Sequence, residues 1–160
     1  MRILTIAISV AVLAVSCFSA DAMAAKRTFK IYQEKPYLTH LDLGNQGNSH
    51  GDMLAFEGAV TGENGVKGMI QGILITVDIA EGDDVTEDRV GAVYYDFGGG
   101  NSLAVAAHVV YKDKSPLIEP GVPQVRAVIG GTGDYIGANG QITTIRNADG
   151  SYEYLVELIN

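Results

Sequence analysis

Val128-Ile129-Gly130-Gly131-Thr132-Gly133-Asp134-Tyr135-Ile136-Gly137-Ala138-Asn139-Gly140-Gln141-Ile142 sets five glycines between two apolar, strand-like flanks. Glycine takes positive φ at little cost, so such a cluster lets a chain leave one strand, turn tightly and enter the next. Gly131-x-Gly133-x-x-x-Gly137 also approaches the spacing of a dinucleotide-binding loop, whose backbone N–H groups cradle phosphate. That loop has to open a helix. Here the continuation is Ala138-Asn139-Gly140-Gln141-Ile142-Thr143-Thr144-Ile145, a turn followed by β-branched alternation, and no helix of βαβ size comes after it. The stretch reads as a corner between two strands.

Outward from this corner, period-2 alternation recurs on both sides. Val125 to Ile129 enters it, Gln141 to Arg146 leaves it, and Asp149-Gly150 turns into Tyr152 to Ile159. Upstream, Ser102 to Lys112 and Arg89 to Phe97 form a pair joined by Gly98-Gly99-Gly100-Asn101, and Pro116, Pro120 and Pro123 hold an irregular connection. Val66 to Ile79 is the longest apolar run, and Asn64-Gly65 predicts a type I′ hairpin before it. Asp52 to Val60, Tyr37 to Leu43 and Thr28 to Gln33 complete the series, with Pro36 interrupting the last two. The chain is therefore all-β. Eight or nine strands with short connections suit a single eight-stranded antiparallel up-and-down β-barrel, because closure removes exposed edges. A barrel of that size holds one small ligand. Ile73, Ile75, Val77 and Ile79 form one face of the long run, while Ile70 and Leu74 keep the other apolar. An exterior that apolar predicts a homo-oligomer, dimer or trimer.

Residues 1–25 read as a signal peptide rather than part of the barrel domain, 26–160. Arg2 precedes an apolar run, Ile3 to Val15, too short to span a bilayer, and Ala22-Met23-Ala24 supplies the small residues of a cleavage site. The expected location is secreted or periplasmic, with no transmembrane span in the mature form. Cleavage before a lipidated Cys17 is the alternative, although the leucine usual three residues earlier is absent. Cys17 is the chain's only cysteine, so the mature domain has no disulfide and no thiol nucleophile. Arg2 and Asp21 cancel, so the domain keeps the net charge of -8, which argues against nucleic acid and anionic membranes as partners.

Two motifs invite chemistry that their context denies. Gly47-x-Ser49-x-Gly51 has the form of a nucleophile elbow, with Asp96 and His108 following in triad order. An elbow joins a strand to a helix, whereas Asp52 onward reads as a strand. The acidic run Glu81 to Asp88 lacks calcium-loop spacing and reads as a solvated loop. Three histidines far apart in sequence give no zinc pattern, and no cofactor is implied.

Laid out in order, Gly51-Asp52-Met53-Leu54-Ala55-Phe56, Gly68-Met69-Ile70-Gln71-Gly72, Val93-Tyr94-Tyr95-Asp96-Phe97-Gly98, Ser102-Leu103-Ala104-Val105 and Ala127 to Tyr135 resemble the allene oxide cyclase and dirigent superfamily. The resemblance covers roughly residues 28–158. It implies an eight-stranded, calycin-like barrel, often trimeric in plants, whose interior guides cyclisation or coupling of a bound organic molecule; bacterial relatives include cyclases of polyketide assembly. The plant active-site residues are not matched. The Glu-x-Asn of the first strand falls on Gln33 and Lys35, the cysteine of the long strand near Leu74, the asparagine after the Gly-Asp strand near Gly58, and the dirigent Ala-Arg-Gly on Ala138-Asn139-Gly140.

Steering a cyclisation needs shape and one or two polar groups that polarise a carbonyl or move a proton. The candidates are Asp96 as acid or base, Tyr94 offering its hydroxyl, and His108, which follows the small residues Ala104 and Ala106. Arg126 would hold a ligand carboxylate or phosphate. Each has a plainer role: a strand-end carboxylate, a packed aromatic, a sheet histidine, a surface salt bridge. The expected function is a lumen that binds a small hydrophobic molecule and steers its isomerisation or cyclisation. A lipocalin-like carrier and a structural envelope barrel are the alternatives.

Overall fold

The structure, a computed structural model, describes residues 26–159 apart from 81, 84, 113, 114 and 116. The expected signal peptide and Cys17 lie outside the described residues. The strands are β1 (Lys26–Gln33), β2 (Tyr37–Leu41), β3 (Met53–Gly62), β4 (Lys67–Asp78), β5 (Thr86–Asp96), β6 (Ser102–Lys112), β7 (Gln124–Thr132), β8 (Asn139–Arg146) and β9 (Tyr152–Ile159). Each is antiparallel to its neighbours in the order β1-β9-β8-β7-β6-β5-β4-β3-β2, and β1 closes back onto β3 from Ile31↔Gly62 to Gln33↔Val60. β2 lies further along the same edge of β3, from Tyr37↔Glu57 to Leu41↔Met53. Together β1 and β2 make one stave, broken next to Pro36, which has no N–H to give to the ladder. The result is a closed, eight-stave, up-and-down barrel. No helix among the described residues is long and apolar enough to cross a membrane.

Alternation fills the interior. Ile31, Leu54, Val60, Ile70, Leu74, Leu103, Val105, Val109, Val128, Ile142, Val156 and Leu158 are all buried in one core, each worth about 1.5–3 kcal/mol against exposure. Gly72 faces inward opposite Phe56, and a Cβ there would meet the ring at 2.3 Å, so the glycine is what admits the aromatic.

Hairpins 62–66 and 96–102, the corner at 132–139 and the two described chain ends gather at one end, the base. The long connections 41–53, 78–86, 112–124 and 146–152 gather at the other, the mouth. At the base the glycine corner holds a short 3-10 turn, Gly133–Tyr135. Gly133 sits at φ +59°, and a Cβ on it would meet Asn101 Oδ1 at 2.1 Å. That oxygen instead accepts the Asp134 N–H at 2.8 Å, while the Thr132 hydroxyl donates to the Gly100 carbonyl at 2.6 Å. The corner is thus latched to the β5–β6 turn. It carries Tyr135 under the barrel, its ring 5.3 Å from Phe97 and 6.1 Å from Phe29, with the Arg27 guanidinium over Tyr135 at 4.9 Å. These rings seal the base.

One turn differs from expectation. The Gly62 N–H bonds the Val66 carbonyl and the Gly65 N–H bonds the Gly62 carbonyl, both at 2.8 Å, with Gly65 at φ +81°. This is a three-residue hairpin closed by one left-handed glycine, not the two-residue type I′ turn.

Candidate functional site in the barrel lumen

Of the four site residues expected from sequence, only Arg126 enters the barrel. On β5 the buried side chains are Glu87, Arg89, Val93 and Tyr95, so strand alternation turns Tyr94 and Asp96 outward. Tyr94 is 53% exposed, and Asp96 accepts the Gly98 N–H at 2.8 Å as the cap of the glycine turn. His108 is exposed too, its Nε2 at 2.9 Å from Asp88 on the outer face. The placement of Asp96, Tyr94 and His108 in the lumen is therefore corrected. The elbow-like Ser49 is a loop brace: its hydroxyl donates to the Leu43 carbonyl at 2.7 Å and to Asp52 at 3.0 Å. Asp52 also accepts the Leu43 and Ser49 N–H groups, both at 2.8 Å, which holds its carboxyl below the usual value. Asp52 is a structural brace of the 43–52 connection.

Inside, a cavity of about 60 Å³ runs between the core and the mouth. Leu54, Ile70, Leu74, Val93 and Val105 supply its apolar walls, and Leu117 and Ile118 from the 112–124 connection cover it. It is smaller than the roughly 150 Å³ that holds a benzene ring, so much of the lumen is filled by the protein's own side chains.

The mouth end of the lumen is polar. Buried Glu87 accepts the Arg89 Nε–H at 2.7 Å and lies 2.6 Å from its Nη2; the two side chains are 1% and 3% exposed. Asn48 Nδ2 donates to Glu87 Oε2 at 2.8 Å, and the Thr76 hydroxyl donates at 3.4 Å to Oε1, the oxygen that Arg89 also holds. The Arg89 guanidinium stacks 4.5 Å from the Tyr111 ring centre. Arg126 lines the cavity and donates through Nη1 to the Thr144 hydroxyl, on the adjacent strand β8. Tyr154 donates to the Gln33 side-chain carbonyl, its ring edge-on to Tyr95 at 5.3 Å and stacked on Tyr152 at 6.2 Å. Gly58 makes room for Gln33, whose Nε2 would lie 2.4 Å from a Cβ there.

Burial raises the pKa of all four lumen tyrosines above the ordinary value. Tyr111 is pushed up to about 12, Tyr95 and Tyr152 are raised, and Tyr154 is well above it, with the Arg126 charge pulling back on each. They remain neutral hydroxyl donors at physiological pH. His40, His50 and His108 are exposed, and the buried Glu87 is tied up by Arg89 and Asn48. The lumen thus offers donors and positive charge rather than a free base. Among the described residues no group of three His, Cys, Asp or Glu side chains is arranged to hold a metal.

Sequence reasoning missed Glu87, Arg89, Tyr95, Tyr111, Tyr152, Tyr154, Gln33 and Thr144. A signal was present for several. Tyr152 and Tyr154 alternate with Val156 and Leu158 on one face of β9, which marks them as inward. Glu87 and Asp88 were expected in a solvated acidic loop but belong to β5, where they point to opposite sides of the wall.

No family model matches the chain, and no curated protein matches it. Solved structures with the same barrel do. Pyocyanin demethylase superposes with a TM-score of 0.60 at 18% identity, covering 84% of this chain and 99% of that one. A nonspecific heme-binding cyclase that catalyses a (4 + 2) cycloaddition during neoabyssomicin biosynthesis gives 0.62 at 15%, covering 89% and 68%. The Diels Alderase AbmU from Streptomyces koyangensis gives 0.57 at 15%, covering 88% and 72%. The likeness at these identities is one of fold: a small closed barrel shared with enzymes of cyclase and Diels–Alderase type. The sequence resemblance holds at that level and is not particular to allene oxide cyclases or dirigent proteins.

Proposed function

We propose that the barrel takes a small, largely apolar organic molecule into its lumen and steers its cyclisation or isomerisation with its own side chains. The observation that carries this reading is the division of the lumen. An apolar chamber is sealed at the base by Phe29, Phe97 and Tyr135 and ends, toward the mouth, in Arg126, Thr144 and the buried tyrosines. Apolar walls select a folded, reactive conformer. Neutral tyrosine hydroxyls and the Arg126 guanidinium polarise a carbonyl and stabilise negative charge that develops on it. With no free base in the lumen among the described residues, the chemistry favoured is rearrangement within one bound molecule or addition between two π systems, rather than hydrolysis. The cycloadditions named for the similar barrels are of this kind.

A second reading has an observation of its own. The small cavity fits a barrel filled by its own side chains, with a carrier or envelope role. We also propose export, guided by residues 1–25, and association of copies through the outer apolar face of β4 to β7, where Ile73, Ile75, Val77, Val90, Val125 and Ile129 are exposed.

The test is a tethered diene–dienophile incubated with residues 26–160, with rate and enantiomeric ratio read against buffer. Acceleration with a biased product ratio supports the steering role. Binding with racemic product at the background rate moves the reading to a carrier, and no binding moves it to a filled barrel.

A further inference from the structure

We infer that the mouth end of the lumen is a binding site for an anionic head group, and that the ligand is a small organic carboxylate with an apolar body. This rests on the reading of the lumen as the ligand site.

Four buried side-chain nitrogens have no hydrogen-bond partner among the described residues: Gln33 Nε2, Arg89 Nη1, Arg126 Nε and Arg146 Nε. All four are donors. All four side chains come from inward positions near the mouth ends of β1, β5, β7 and β8. A single orphan donor in a core is a costly oddity, since burial strips its water without replacing it. Four at the mouth end of one barrel, with no orphan acceptor among them, describe an end of the barrel short of an acceptor.

Charge points the same way. Arg89 is balanced by Glu87. Arg126 and Arg146 have no carboxylate partner among the described residues; Arg126 bonds Thr144, and Arg146 interacts with the Tyr152 hydroxyl. The lumen therefore carries an excess of positive charge in a chain whose net charge is -8. Water would satisfy the donors but leave the Arg126 charge uncompensated at the apolar cavity, with that of Arg146 near it at the same end. A carboxylate does both, because it accepts at two oxygens and brings the missing charge. Arg126 is the anchor, since it is the one of the four that lines the cavity. Thr144 fixes its Nη1 and leaves Nε for the guest.

The test pairs each acid with its neutral isostere: benzoate with benzamide, cinnamate with cinnamide, decanoate with decanol. Each is titrated calorimetrically into residues 26–160, as wild type, Arg126→Gln and Arg126→Lys. The inference expects the carboxylates to bind at least tenfold tighter than their isosteres. Arg126→Gln should erase that preference while moving the neutral partner less than threefold, and Arg126→Lys should keep part of it. Arg146→Gln, at the same end but off the cavity wall, provides a second readout should Arg126→Gln fail to fold; it should weaken carboxylates by a few fold. Neutral members binding as tightly as the acids, with no change in Arg126→Gln, would overturn the anion site and leave the lumen reading standing. If no member of either class binds, the lumen reading falls and this inference falls with it.

Discussion

Ile118 closes the mouth of the cavity, and its truncation measures how much of the barrel is plug and how much is container. The side chain is 5% exposed, belongs to the core and lines the cavity beside Leu117. Ile118→Ala removes three carbon groups at about 0.8 kcal/mol each, so the transfer loss alone is about 2.4 kcal/mol. If the mouth stays open around the gap, the added cavity term brings the total toward about 5 kcal/mol; if the connection collapses onto it, the cost stays near the transfer value. With a urea m-value of about 2 kcal/mol/M, the midpoint should fall by roughly 1.2–2.5 M. The same substitution joins new space to a cavity of about 60 Å³. A guest such as toluene should therefore bind Ile118→Ala at least fivefold tighter than wild type, read by calorimetry and by a rise in melting temperature. A loss below about 1 kcal/mol, together with unchanged guest affinity, would refute the reasoning: Ile118 would then be neither a plug nor a wall.

Other consequences can be checked in the same way. In the glycine corner, a Cβ on Gly131 would meet the Ser102 carbonyl at 2.5 Å and the Tyr135 carbonyl at 2.6 Å, whereas one on Gly130 meets nothing within 4 Å. Gly131→Ala should cost about 3 kcal/mol and Gly130→Ala under about 0.5, both by urea denaturation; equal effects would unseat the latch. The lumen tyrosines have pKa values raised by burial, so the folded state holds their protons after the unfolded chain has begun to lose them. Stability should fall as pH climbs above about 10, the unfolded tyrosine value, and Tyr154→Phe should flatten that slope in melting curves. Asp52 runs the opposite way: its pKa is depressed by the Leu43 and Ser49 N–H groups, so its contribution is present above about 4 and is lost as pH drops through the folded value. Asp52→Asn should melt lower than wild type at pH 7, and the gap should close in acid. For the outer face, Ile73→Asp with Ile129→Asp should shift the wild-type sedimentation profile toward monomer without lowering the melting temperature of the monomer.

Strand order and closure were readable because alternation and turn glycines are local signals. β6 (Ser102–Lys112) and β9 (Tyr152–Ile159) fall where the pattern puts them. Which face points inward was not readable on β5, since both faces carry an aromatic and titratable groups: Tyr94 with Asp96, Tyr95 with Glu87 and Arg89. Partners remote in sequence decide it. Gly91, inward by alternation with Arg89 and Val93, lets β4 approach closely, since a Cβ there would meet the Ile73 carbonyl at 1.9 Å, and Glu87 is tolerated inside because Asn48 and Arg89 reach it. Arg126 stood out in the sequence as a candidate ligand holder, and of the four candidates it alone reaches the cavity wall. Its tyrosine surroundings come from three other strands, which periodicity along one strand does not address.

Lys26 and Ile159 face each other as a register pair at the base, where the aromatic seal lies. A tag, fusion partner or surface tether joined at either residue therefore departs from the sealed side. Barrels immobilised by such a link stand with their openings toward solution, so the choice between these two residues should not affect ligand access. Linking Lys26 to Ile159 with a few residues and opening the ring at the 62–66 hairpin would move the attachment point along the base while leaving every stave intact.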